Sequence, residues 1–154
     1  MCYVRAMAPS IKVREIGYGS ADYEEAVRLR DRVLRRPLGL SFSPDELAKE
    51  GGSRHFAAFE AGRLVGCLIL VPLAPSELKM RQVAVSPEAQ GRGVGTLLIA
   101  AAEEFGAQNG FEWMKLSARE TAVPFYLGLG YELVGEAYIE VTIPHRAMQK
   151  RLGQ

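Results

Sequence analysis

Residues 11–16, Ile-Lys-Val-Arg-Glu-Ile, alternate apolar and polar side chains at a period of two, the pattern of a half-buried strand, and 17–20 follow as a turn. The period then lengthens. Tyr23, Ala26, Val27, Val33 and Leu34 recur at helical spacing and predict a helix over 21–34, with Arg30 on its apolar face. Ser43, with Pro44 next and Glu46 three residues on, predicts a capped short helix over 44–49 that Gly51-Gly52 ends. Strands at 54–59 and 64–71 read as a hairpin about the turn 60–63, with Pro72 and Pro75 expected to stop the second. A third strand covers 78–85. Val94, Leu97, Leu98, Ala101, Ala102 and Phe105 form the clearest helical stripe, which Asn109-Gly110 terminates. A strand at 113–118, a short helix at 122–129 closed by Gly130, and one or two strands over 131–143 bent near Gly135 complete the order, with 145–150 expected as a last edge strand. Strands interleaved with helices in this way make an α/β domain with a mixed sheet.

At 154 residues, uninterrupted by linkers or repeats, the pattern fits one domain over 1–154, large enough to bury its own core. The net charge of +1 supplies no general attraction to nucleic acid or to an anionic membrane. No apolar run reaches the roughly 20 residues of a membrane helix, and no basic-then-apolar leader opens the chain, so a cytoplasmic location is expected. Cys2 and Cys67 are too few and too distant for a disulfide framework or a zinc site. No metal is expected, and Cys67, inside an apolar strand, reads as a small core residue.

The candidate chemistry begins at Gln90-Gly91-Arg92-Gly93-Val94-Gly95, between the strand that ends Val83-Ala84-Val85 and the helix that follows. Glycines there let backbone N–H groups close around an anion, and the helix start adds about half a positive charge. Spacing narrows the choice. Glycines at 91, 93 and 95 do not follow the dinucleotide pattern GxGxxG, since position 96 is Thr, and no Lys follows Gly95 as a P-loop requires.

What remains resembles the Q/R-x-x-G-x-G/A signature of the GNAT superfamily of acyl-CoA-dependent acetyltransferases, with Gln90, Gly93 and Gly95 in its fixed positions. Ala122, Tyr126, Gly130 and Tyr131 resemble the second signature, a helix carrying A-x-x-x-Y before a G-Y turn. Residues 136–148 are similar to the C-terminal end of a little-characterised bacterial-type subgroup. The resemblance implies a GNAT fold, a mixed, mostly antiparallel sheet with helices on both faces. It also implies acetyl-CoA as co-substrate. Backbone N–H groups of Gly91, Arg92, Gly93, Val94, Gly95 and Thr96 would hold the pyrophosphate, and the strand Val83-Ala84-Val85 would pair with the pantetheine arm as an added strand does.

On that resemblance the reaction is direct attack by an amine on the thioester, with Tyr126 stabilising the leaving thiolate. A thiol titrates near 8.5 and a phenol near 10, about 2 kcal/mol apart, so Tyr126 reads as a hydrogen-bond donor before it reads as an acid. Two departures stand out. Histone-type members carry a glutamate base where this chain has Lys79, which leaves Glu77, Glu140, His145 or a water relay as candidates. Arg119 stands where many relatives have Asn. Arg30 reads as the partner of a buried carboxylate ahead of a substrate contact, and Arg28, Arg32, Arg35 and Arg36 as a solvated face. The acceptor is an amine on a small molecule or a peptide, and a homodimer is compatible with the family. A non-catalytic acyl-CoA sensor is the alternative, which Tyr126 argues against. A phosphotransferase fails on the missing P-loop lysine.

Overall fold

The computed structural model describes residues 10–153; Cys2 lies outside them. Seven strands form one sheet in the order β1-β2-β3-β4-β5-β7-β6, where β1 is Ile11–Ile16, β2 Arg54–Glu60, β3 Arg63–Ala74, β4 Glu77–Val85, β5 Trp113–Arg119, β6 Glu132–Glu140 and β7 Ile143–Arg151. Every pairing is antiparallel except β4 with β5. The helices are α1 (Ala21–Arg30), α2 (Pro44–Ala48), α3 (Val94–Gln108) and α4 (Val123–Gly128).

Strand periodicity of two divides the core between the two faces. Phe56, Leu68, Leu70, Met80 and Leu116 pack with Leu98 and Ala102 of α3, and Tyr126 of α4 joins that cluster. Ala57, Cys67 and Ala84 point the other way, onto Ala26 and Leu29 of α1. The small side chains on this second face let α1 lie close to the sheet. Cys67 is accordingly a buried core residue, and burial pushes its thiol up to about 12.

Three boundaries differ from the sequence expectation, each for a local reason. β3 runs through Pro72 to Ala74. Its partner β2 ends at Arg54, opposite Leu70, so Pro72 lies beside an open edge where a missing N–H leaves no ladder bond unmade. Residues 145–150 do not form an edge: β7 inserts between β5 and β6, and β6 is the edge strand. A tight turn at Val141 and Thr142, with φ of 48° and 66°, folds the β6–β7 pair back in this way. The first helix gives way after Arg30 to one wide turn over Asp31–Arg35, which carries Leu34 and Arg35 toward the middle of the sheet.

Candidate active site

The parallel ladder between β4 and β5 is short, joining only Glu77–Met80 to Trp113–Leu116. Beyond Met80 a bulge interrupts β4, with Gln82 at φ 56° and a register shift between Cys67 and Ile69 on β3. An extra residue bends a strand and turns its faces over. Before the bulge Leu78 and Met80 face α3; after it Val83 and Val85 do so, while Lys79 and Arg81 project from the opposite face. The two strands therefore part. A cleft of about 270 Å³ opens between them, lined by Gln82 and Val83 on one side, by Ser117 and Arg119 on the other, and by Tyr126, Glu140 and His145.

The diverging half of β4 leads into the glycine loop. Gly91 and Gly93 adopt φ of 78° and 82°, and no atom lies within 4 Å of where a Cβ would stand at either. Gly93 is the N-cap of α3 and offers no capping side chain. The first bond of the helix runs from the Leu97 N–H to the Gly93 carbonyl at 3.0 Å, which leaves the N–H groups of Val94, Gly95 and Thr96 without helical acceptors. Such a terminus suits an anion. Thr96 is exposed, Val94 is buried in the core, and Gly95 lies with Phe125 Cζ 3.4 Å from the place of a Cβ. Gln90 donates its side-chain N–H to the Val85 carbonyl at 3.1 Å, which ties the loop to the strand. Arg92 forms an ion pair with Glu60, so the structure gives this guanidinium a protein partner.

Tyr126 is buried at the floor of the cleft, edge-on to Phe125 and Tyr131. Burial alone pushes its phenol up to about 12. The Tyr131 hydroxyl donates to Glu103 at 2.9 Å and thereby clamps α4 to α3, a structural part.

Antiparallel register builds the other wall. Arg119 on β5 is paired with His145 on β7, which is paired in turn with Tyr138 on β6, and paired residues share a face. Ser117 and Glu140, two residues along their strands from Arg119 and Tyr138, fall on that face too. The buried His145 ring has its Nδ1 2.9 Å from the Ile143 carbonyl. A carbonyl only accepts, so Nδ1 carries the proton and Nε2 is the basic nitrogen of the neutral ring. That Nε2 faces Glu140 Oε2 at 3.6 Å. The same carboxylate accepts from Ser117 Oγ at 3.0 Å, and Ser117 Oγ is also bonded to the Tyr138 hydroxyl.

Of the other residues singled out by sequence, Glu77 lies at the paired end of β4, in an ion pair with Lys115 at 3.1 Å, away from the cleft lining. Arg30 is buried and holds Glu50 through two bonds, of 2.9 and 2.6 Å, which makes it structural. Arg32 and Arg36 pair with Glu88 and Asp31 at the surface. Arg35 departs from its expected solvated face: it lines the cleft, bonded to Glu46 at 3.0 Å and stacked over Phe42. Ser117 and Tyr138 carried no motif, because only the β5–β7–β6 register brings them beside His145.

A split parallel pair thus carries a glycine loop and an uncapped helix start at the end of one of its strands. The chain belongs to the GNAT acetyltransferase family, since the family described as Acetyltransferase (GNAT) domain matches residues 40–152. A Bacillus subtilis protein, YjcF, named as an uncharacterised N-acetyltransferase, is 30% identical over 128 residues, 82% of this chain and 91% of its own. A Schizosaccharomyces pombe protein of the UPF0039 group is 31% identical over 93 residues, covering 59% of this chain and 62% of that one. The crystal structure of a Lactobacillus plantarum protein assigned as an N-acetyltransferase superposes with a TM-score of 0.81 at 25% identity, over 93% of this chain and 99% of that one. A GNAT acetyltransferase from Elizabethkingia anophelis, solved with acetyl-CoA bound, shares the fold at a TM-score of 0.73 and 13% identity, over 92% and 98% of the two chains. Family and fold assign the chain to the acyltransferases. Among the described residues no group of three or more His, Cys, Asp or Glu side chains could hold a metal ion, and no helix is long and apolar enough to cross a membrane.

Proposed function

We propose that the protein transfers an acetyl group from acetyl-CoA to an amine, and that one observation carries the reading: the cleft between the parted halves of β4 and β5 holds Tyr126 and leads along β4 to an uncapped helix start. The fit to acetyl-CoA rests on this chain's own features. The backbone of Val83, Ala84 and Val85 lies past the end of the β5 ladder, where an extended amide chain can pair with it. The free N–H groups of residues 94–96, with the loop from Gln90 to Gly93, suit a pyrophosphate, and the space before Gly91 and Gly93 admits it. Bound there, acetyl-CoA supplies an acyl thioester.

The acceptor amine must attack as the free base, and a lysine-like amine at pH 7 must first lose a proton at a cost of about 4–5 kcal/mol. His145 Nε2 and Glu140 Oε2 are two proton acceptors facing each other across 3.6 Å with no donor between them. An ammonium placed there satisfies both; the pair can take one proton to free the lone pair before attack, and the second proton, which nitrogen sheds once the C–N bond has formed, passes to solvent. As the C–S bond breaks, Tyr126 donates a hydrogen bond to the departing thiolate. A phenol near 12 retains its proton, so Tyr126 stabilises charge and the thiolate takes its proton from solvent. This chemistry favours an enzyme over a sensor, which needs neither Tyr126 nor a base.

Calorimetry with acetyl-CoA and a thiol-release assay over amino acids, polyamines, aminoglycosides and peptides test the reading. Binding of one acetyl-CoA per chain and release of thiol with at least one amine are expected. No heat of binding would sink the donor assignment.

A further inference from the structure

Lys79, Arg81 and Arg119 line the cleft, and among the described residues none of the three forms an ion pair with a carboxylate. Arg119 donates one bond, at 2.6 Å, to the Leu34 carbonyl, and has Arg35, itself engaged by Glu46, as a like-charged neighbour. Lys79 and Arg119 are half-buried and Arg81 is exposed; a half-buried cation without a counter-ion is costly unless an anion arrives. The anion is not the pyrophosphate of the donor. Arg119 and Ser117 alternate with Leu116 and Ala118, which pack in the α3 cluster, so Arg119 projects from the face opposite α3 and the helix start opened by the glycine loop. Lys79 and Arg81 precede the bulge and share that opposite face.

The register sets the spacing between this charge and the base. Arg119 and His145 are directly opposed on β5 and β7, which puts their Cβ atoms about 5 Å apart. A guanidinium thus stands beside the nitrogen and carboxylate that face the amine.

We infer that the acceptor carries an anionic group, a carboxylate or a phosphate, a short linker away from its amine, and that Arg119, backed by Lys79, holds this group while Glu140 and His145 hold the amine. Simple alkylamines and polyamines lack that group and meet a cleft of their own sign. The inference rests on the amine-acetylation reading above. It goes further by naming the acceptor's charge and the residue that selects it.

The test compares glycine and β-alanine with their primary amides, and both with 2-aminoethylphosphonate, in two readouts: calorimetric binding to the protein loaded with CoA, and kcat/KM for thiol release with acetyl-CoA. Intrinsic reactivity runs against the inference, because a nearby anion raises the amine pKa and leaves less free base. A preference of about ten-fold or more for the anionic member of a pair, in either readout, is the expected result for a charge-assisted bond. Whether carboxylate or phosphonate binds more tightly identifies the anion. Arg119→Gln should collapse the ratio toward one, and Arg119→Lys should restore part of it. Equal or better use of the amides in both readouts overturns the inference while CoA binding leaves the donor reading standing. A preference that survives Arg119→Gln overturns the role given to Arg119. Failure of CoA itself to bind removes the amine-acetylation reading and this inference with it.

Discussion

Tyr126 is the residue on which the proposed chemistry turns. Removing its hydroxyl deletes one bond to a developing thiolate, worth about 1.5–3 kcal/mol, so Tyr126→Phe should lower kcat about 10- to 150-fold while the Kd for acetyl-CoA stays within about three-fold. Single-turnover rates and calorimetry on the two proteins check this. The raised phenol has a second consequence. Below the ordinary tyrosine value near 10 both folded and unfolded chains hold the proton; between 10 and about 12 only the folded chain does, so stability attached to Tyr126 is lost as pH rises through that window. A basic limb of the rate profile below pH 10 would then have another source. Arg30 and Glu50 belong to the same scale. Burial raises the Glu50 carboxyl, but the bonds from Arg30 and Tyr23 outweigh it and hold the group below its ordinary 4.5, so its contribution is present above that value and disappears as pH falls. Arg30→Met, which strands the partner charge, should cost about 3 kcal/mol in urea unfolding, and Arg30→Met with Glu50→Leu should recover part of it. The sequence placed Arg30 on an apolar face and so announced a buried partner. It could not name Glu50, twenty residues on, because a helix face has no record of the loop that will cover it.

At the scale of elements, the site depends on where α3 starts and how closely it lies on β3. A Cβ at Gly66 would stand 2.8 Å from Leu98 Cδ1 and 2.9 Å from Val94 Cγ1. Gly66→Ala should therefore push the first turn of α3 off the sheet, lower stability by about 1–3 kcal/mol and weaken acetyl-CoA binding, although residue 66 touches no ligand in this account. Thermal unfolding and CoA calorimetry of the variant report the two effects separately. Elements with strong periodicity were legible: the strand at 11–16, the Ser43 capping box with its Glu46 partner and the helix α3 stand where the pattern put them, although Leu97 of the expected stripe is exposed and Ile99, outside it, is buried. The misses were about partners. Pro72 reads as a strand stop until one knows that β2 ends beside Leu70, and β7 reads as an edge until the hairpin with β6 is closed. Register has no local signature when a strand is polar on one face, which is why Ser117 and Tyr138 stayed invisible while His145 and Glu140 could at least be nominated.

For the whole molecule, a sheet with one short parallel pair near its centre supplies the opening, and the helices on its two faces divide the labour. The α3 face carries the uncapped helix start proposed to hold the donor; the α1 face carries Arg35, Lys79 and Arg119. Ligand binding should accordingly stabilise the domain as one unit. Acetyl-CoA at about a hundred times its Kd should add about 2.7 kcal/mol to the unfolding free energy, and a chelator should change neither stability nor turnover. The proposed reaction is acetyl transfer to an amine within this cleft. Its most direct test is mass spectrometry of an amine incubated with acetyl-CoA and the protein, alongside Tyr126→Phe. N-acetylated product is expected, formed in step with released thiol and at least ten-fold more slowly by the variant. Acetyl-CoA that binds yet yields no acetylated amine with any acceptor class would contradict it and leave a binding module in its place.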